Sequence, residues 1–338
     1  MNTTGGLVCG HHHLYSALAR GMPPPPRRPT DFVGILEQVW WRLDAALDLE
    51  MIRWSAMLGA LEALECGTTA IVDHHESPNA IEGSLSVVAA ACAEVGVRVS
   101  AAYGVTDRHG AQGARAGLAE NERFLRSGGR GMVGVHAAFT CSDETLEAAA
   151  GLAADLGVGV HIHVAEGRVD SAAGARLAHL ARPDWLLVHC VHLDRELPGV
   201  IAHNPRSNMN NGVGYARPAA RPNPVVLGTD GIGADMLEEF RLAYARLRED
   251  DVGAQPTVPW EWLTNGYRLF PEARQDEVVW DHPHAGDPWW AAFTPAVRAV
   301  DVTIGGEKVL VGGVATRVDG DEVRARAAEQ AARLFARL

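Results

Sequence analysis

Eight short apolar runs, separated by Ala/Leu-rich amphipathic stretches, recur from the N-terminus to about Ala245, and this alternation constrains the fold more than any other feature. Runs at residues 7–13, 68–73, 97–103, 132–138, 158–164, 185–189, 200–203 and 225–230 read as strands rich in Val and Ile, and the stretches between them read as helices. The 217 residues from His13 to Asp230 divide into seven steps averaging 31, close to the roughly 30 residues of one βαβ unit. Eight such units predict an α/β fold, a (β/α)₈ TIM barrel. Closure would set the eighth strand beside the first, so residues far apart in sequence would share one end of the barrel.

The helices carry their own punctuation. Leu47, Met51, Trp54, Leu58 and Leu61 recur at spacings of four and three as one apolar face, with Gly67 as a stop. Ser142 can cap a helix whose first turn holds Asp143 and Glu144 and which Gly157 closes. Two segments fall outside the rhythm. Residues 22–28, MPPPPRR, exclude a helix or an inner strand and predict a long loop over the barrel mouth. After residue 258 the βα pattern breaks down: residues 277–280, 297–304 and 308–311 read as short strands before a helix over 320–338. Residues 1–258 are thus expected to form the barrel. Residues 259–338 would supply its last elements, a small β appendage and the C-terminal helix.

Composition narrows the function classes. A net charge of −12, with no basic run interleaved with aromatics, opposes a nucleic-acid partner. No apolar stretch approaches the roughly 20 residues of a membrane span, and the opening MNTTGGLVCGHHH lacks the order of a signal peptide, so a cytoplasmic location is expected. The five cysteines contain no CxxC pair and predict neither a disulfide framework nor a thiolate metal site. Lys308 is the only lysine among the 30 basic residues, which excludes a lysine Schiff base or a carboxylated lysine bridging two metals in the first 300 residues.

Chemistry concentrates at the strand ends. In GHHHLYS (10–16), alternation puts His11 and His13 on one face and His12 on the other, so two imidazoles can grip one ion. In HIHVAEG (161–167), His163 lies nearer the mouth than His161 and is the better ligand. His161 sits one layer deeper, as an interior histidine or a support for a ligand. Glu166, just beyond, suits a proton shuttle or a helix cap. Asp230 ends the run VLGTDGIGADM (226–236), and a carboxylate there can bind metal, accept a proton or cap the next helix. Taken together, His11, His13, His163 and Asp230 make a nitrogen/oxygen set suited to one divalent ion, zinc or alternatively iron, with room for water. His189, ending the sixth strand, is assigned to substrate or the hydrolytic water, and His136, ending the fourth, to the pocket lining. His192 is expected in a loop, and His74, His75, His109, His179, His282 and His284 in structural or exposed roles.

These ordered motifs, HxH, His163 with Glu166, His189 and Asp230, resemble the amidohydrolase superfamily in its aminohydrolase and triazine-hydrolase branch. HNPRSNMNNG (203–212) and GTDGIGADM (228–236) are most similar to SsnA-like aminohydrolases, and the resemblance covers about Gly6 to Leu338. It implies a distorted barrel with one divalent metal, in which Glu166, His189 and Asp230 handle protons. Relatives carry a β-rich segment of tens of residues before HxH where only ten residues precede His11 here, which implies a truncated appendage formed mainly by the C-terminal segment. A homodimer is also implied. The expected reaction is attack of an activated water on a C–N bond, deaminating a nitrogen heterocycle. Ring-opening or dechlorinating hydrolysis on the same site, and a non-hydrolytic lyase, cyclase or binding protein on the same scaffold, are the alternatives.

Overall fold

The computed structural model describes residues 2–338. Eight parallel barrel strands lie where the apolar runs predict them: Leu7–His13, Thr68–His75, Arg98–Tyr103, Val133–Ala137, Val160–Val164, Leu186–His189, Val200–His203 and Val225–Leu227. Strands one to three form one parallel arc and strands four to eight another. Single bridges, Ala101 to Gly131 and Val105 to Val135, join the arcs on one side.

The other junction is the seam that the distribution of ligands requires. The expected eighth strand, 225–230, is not continuous: it pairs with the seventh through Leu227, then crosses, and Asp230–Gly231 pairs in parallel with His12 and His13 of the first strand. The crossing residues bond both neighbours, Gly228 N–H donating to the His203 carbonyl and Thr229 N–H to the His11 carbonyl. One strand cannot serve two diverging neighbours along its length without such a break. The crossing is so tight that a Cβ on Gly228 would lie 2.4 Å from Asn204 Oδ1 and 2.7 Å from the His11 carbonyl oxygen.

Helix Leu49–Glu65 corrects the expected single apolar face. Asp48 caps it by accepting from Met51 N–H, so Leu47 stands ahead of the helix rather than in it. Burial runs round most of the helix, from Met51 and Ile52 through Ala56 and Ala60 to Leu64, because the turn Leu14–Ala19 and the final helix Gly320–Phe335 both pack on it. Ser142 caps helix Asp143–Leu156 and Gly157 ends it at φ +67°. After the first strand, the proline-rich loop leads into short helical turns over Phe32–Ile35, Leu36–Trp40 and Trp41–Ala46, begun by an Asp31 cap, and these cover the mouth.

The appendage is a five-stranded antiparallel sheet in the order Thr3–Thr4, Glu277–Trp280, Ala299–Ile304, Glu307–Val311, Val314–Ala315. Four of its strands come from the C-terminal segment, as expected, and Thr3–Thr4 adds the fifth. Among the described residues no helix is long and apolar enough to cross a membrane, and all five cysteines are free and buried.

The seam predicts an asymmetry between two glycines. Gly228→Ala should destabilise by about 3 kcal/mol, the upper end of overpacking against groups that cannot yield. Gly157→Ala meets nothing within 4 Å and should cost only the roughly 1–2 kcal/mol of a left-handed non-glycine residue. Urea unfolding of both variants checks the difference; equal losses would remove the seam from the argument.

Candidate metal centre

Closure of the barrel brings the four expected donors together. His11 and His13 project from the same face of the first strand, Asp230 from the strand across the seam, and His163 from the end of the fifth. Asp230 Oδ1 lies 3.2 Å from His11 Nε2 and 3.0 Å from His13 Nε2, and His13 Nε2 lies 3.2 Å from His163 Nε2. Each of the four offers one atom within 4.8 Å of all the others, and all four side chains are buried.

The hydrogen-bond pattern tests whether these residues fit a cation. His13 Nδ1 is 2.6 Å from the His74 carbonyl oxygen and His163 Nδ1 is 2.7 Å from that of His136. A carbonyl only accepts, so both Nδ1 atoms carry hydrogen, and in neutral rings both Nε2 atoms present bare lone pairs to each other. That arrangement requires positive charge between them. A proton on His13 is one solution: burial opposes it, but the bond and charge of Asp230, helped by Asp73 and Glu76, lift His13 to about 9. A divalent ion shared by all four donors is the other, and it suits His11 and His163, which burial holds well below the ordinary imidazole range and so in the ligating form. Tetrahedral zinc with ligands at about 2.0–2.1 Å separates neighbouring ligand atoms by roughly 3.3–3.4 Å, close to the three spacings of 3.0–3.2 Å that run from His11 through Asp230 and His13 to His163.

Asp230 links this group to a second one. Its Oδ2 accepts from Ser207 Oγ at 2.5 Å and lies 3.8 Å from His189 Nε2, which in turn is 3.4 Å from Glu166 Oε2. Burial tends to raise Asp230, yet the bonds from His11 and His13 hold it well below the usual carboxylate range. Glu166 goes the other way: burial first, then the Asp230 charge, push it up to about 7 against the pull of His189. Neither acid caps a helix; that task falls to Asp235, which accepts from Leu237 and Glu238 N–H. The rim is also strained, since Ala165, His189, Cys190, Asp230 and Ile232 all have φ between +47° and +69°, a region that costs residues with a Cβ roughly 1–3 kcal/mol each.

The remaining histidines separate by position. His161 lies behind the group, its Nε2 2.8 Å from His11 Nδ1, where it orients that ring. His12 points away, to Thr229 Oγ1 at 2.6 Å and the Asp230 carbonyl at 2.8 Å. His136 lines the pocket, with Nδ1 2.7 Å from Thr140 Oγ1, and His192 sits in a loop against the Val213 carbonyl. His74 is fully buried and packs beneath the group, its ring 4.6 Å from that of His163. His75 pairs with Ser77.

Above the four donors is a pocket with an aromatic wall that the strand pattern did not reveal: Phe32, Leu36, Trp40 and Trp41 from the turns over the mouth, with Tyr15 and Phe139. Part of its lining is acidic. Asp44 and Glu76 both line it and both accept from Arg108 Nη2, the guanidinium lying 4.5 Å over the Trp41 ring. Burial, then the neighbouring Glu76, raise Asp44 well above its ordinary value, and its Oδ1 has no partner. Polar strings following the second and third strands, HHES and TDRH, were the available signal for Glu76 and Arg108.

Residues 3–259 match the family model described as "Amidohydrolase family". The chain is 34% identical over 274 residues to a 5'-deoxyadenosine deaminase of Methanopyrus kandleri, covering 70% of this chain and 60% of that protein. It is 32% identical over 266 residues to a 5-methylthioadenosine/S-adenosylhomocysteine deaminase of Syntrophomonas wolfei, covering 70% and 59%. The chain thus spans about three fifths of the length of these curated relatives. Among solved structures, an adenosine deaminase from Xanthomonas campestris with bound zinc superposes with a TM-score of 0.81 at 22% identity, over 99% of this chain and 86% of that one. Atrazine chlorohydrolase TrzN from Arthrobacter aurescens TC1, complexed with zinc, gives 0.77 at 20% identity, over 97% and 88%. Both share the fold.

One set of four donors predicts one tightly held divalent ion per chain. Elemental analysis of protein purified without added metal should give a stoichiometry near one, and His163→Ala should lose it. Two ions per chain, or undiminished content in the alanine variant, would contradict this ligand set.

Proposed function

The chain belongs to the amidohydrolase family, and from that premise we propose that it is a metal-dependent deaminase of an adenine-type nucleoside or a related nitrogen heterocycle. The observation that carries the reading is the junction at Asp230, one carboxylate shared between four convergent donors and the His189–Glu166 pair, at the floor of an aromatic pocket. Two similar proteins, the 5'-deoxyadenosine deaminase of Methanopyrus kandleri and the 5-methylthioadenosine/S-adenosylhomocysteine deaminase of Syntrophomonas wolfei, support the same reading.

His11, His13, His163 and Asp230 would hold the ion, zinc by the chemistry of the donor set and iron as the alternative. When bound, the ion supplies Lewis-acid activation of water, lowering its pKa toward about 7. The side chains do the rest. Asp230 and His189 take the proton released as water adds to the amine-bearing carbon. Glu166, which burial leaves able to hold a proton near pH 7, protonates a ring nitrogen, which keeps that hydrogen; the proton taken from water passes to the departing amine, and the added hydroxyl returns its proton to Glu166 as the carbonyl forms. Water is consumed, the carbonyl product forms and ammonia leaves. Phe32, Trp40, Trp41 and Phe139 suit a planar heterocycle. His136 lines the same pocket as a substrate contact. The acidic pair Asp44 and Glu76, in the same lining, would accept hydrogen bonds from donors such as sugar hydroxyls.

The reading extends to the whole molecule. A cytoplasmic setting suits five buried free thiols. A homodimer would cover Trp289, Trp290 and Phe293, which are 49%, 50% and 70% exposed on one short helix; light scattering that gives a monomer at all concentrations would remove this element.

Zinc-loaded protein assayed for ammonia release on 5'-deoxyadenosine, 5'-methylthioadenosine, adenosine, adenine and an aminated triazine tests the activity. On the best substrate, Glu166→Gln should lower turnover at least ~10²-fold with metal content unchanged. Retained turnover would take Glu166 out of the proton path, and no ammonia from any member of the panel would defeat the reading.

A further inference from the structure

The segment between the seventh and eighth strands, Asn204 to Asn211, reaches each member of the proton-handling set with a different side chain. Ser207 Oγ donates to Asp230 Oδ2 at 2.5 Å, Asn211 Nδ2 donates to Glu166 Oε1 at 3.3 Å, and Asn208 Oδ1 lies 2.7 Å from His189 Nδ1. The neighbouring residue braces the backbone: Arg206 donates through Nη2 to the carbonyls of Thr229 and Gly231, on either side of Asp230, while Glu239 holds its Nε. Asn208 is 2% exposed and His189 is fully buried.

His189 has two ring nitrogens in unlike surroundings. Nδ1 meets Asn208 Oδ1 at 2.7 Å, with Asn204 Nδ2 3.5 Å from the same nitrogen. Nε2 is buried, has no hydrogen-bond partner and faces Glu166 and Asp230. We propose that Asn208 is a positioning residue that keeps hydrogen on His189 Nδ1, so that Nε2 is the nitrogen turned toward Glu166 and Asp230. An amide oxygen accepts from Nδ1–H, which fixes both the tautomer and the orientation of the ring. His189 and Cys190 both hold left-handed backbone at φ +69° and +54°, and the buried ring stacks on that of His163 with centroids 5.5 Å apart, so the bond at Nδ1 is what distinguishes its two nitrogens.

Two arms test this, and only the second rests on the deaminase reading. In the first, protein labelled with ¹⁵N-histidine and loaded with zinc is examined by long-range ¹H–¹⁵N correlation, His189 being identified by the signals lost in His189→Gln. A hydrogen-bearing Nδ1 is expected; a bare Nδ1 with hydrogen on Nε2 would overturn the assignment, with no substrate needed. In the second, Asn208→Leu, which removes the acceptor at similar volume, should lower kcat about 100-fold with KM within about threefold and zinc content unchanged. Asn208→Asp, which restores an acceptor oxygen, should recover kcat to within about tenfold of the wild type. Equal losses in both variants, or wild-type kcat in the leucine variant, would overturn the positioning role. Should the leucine variant fail to fold, the tautomer seen in the wild-type protein still decides.

Discussion

The parallel pairing of Asp230 and Gly231 with His12 and His13 is the contact on which the rest depends. It completes the ring of strands, and in the same stroke it sets a carboxylate beside two imidazoles that lie more than two hundred residues earlier. The two outcomes cannot be separated. A chain that left the barrel open would have His11, His13 and His163 without their acid, and an acid without the imidazoles that keep it ionised in a buried place. Here closure of the fold and assembly of the donor set are one event, and the glycine at the crossing, Gly228, serves both by letting the eighth strand come against the backbone of His11.

Much of this was legible in the sequence because it is written in short-range periodicities. Alternation on a strand put His11 and His13 together and sent His12 away, and the strand spacing implied that Asp230 would come round to meet them. The caps of helix Asp143–Leu156 were equally local. The parts that were not legible are those fixed by contacts between irregular segments. The break at 228–229 exists only because the strand must serve two neighbours. Phe32, Trp40 and Trp41 lie in turns whose direction follows from what they pack on, so no period marks them as a pocket wall. Asp44, Glu76 and Arg108 come from the separate connections that follow the first, second and third strands and form one ion cluster only in the folded molecule. His74 was grouped with the structural histidines, and nothing in its immediate sequence told that it would pack under His163.

Electrostatically the site is a buried concentration of bases. Burial depresses His11, His74, His161 and His163, so each neighbour is better tolerated neutral than charged. Positive charge is confined to the one place where Asp230 faces it, at His13 or at an ion held between the four donors. Around that point the protein supplies fixed orientation rather than mobile charge: carbonyls on the Nδ1 atoms of His13 and His163, a ring on that of His11, an amide on that of His189.

The five left-handed residues of the rim bear on how such a protein ages in a cell. Strain of roughly 1–3 kcal/mol at each of several positions is comparable with the whole margin of about 5–15 kcal/mol by which a domain stays folded. An ion that binds only the assembled rim returns part of that margin by mass action. Were an ion held there, its supply would bear on lifetime: without it the strained strand ends around Ala165, His189 and Asp230 would open more often and be the first that proteases meet.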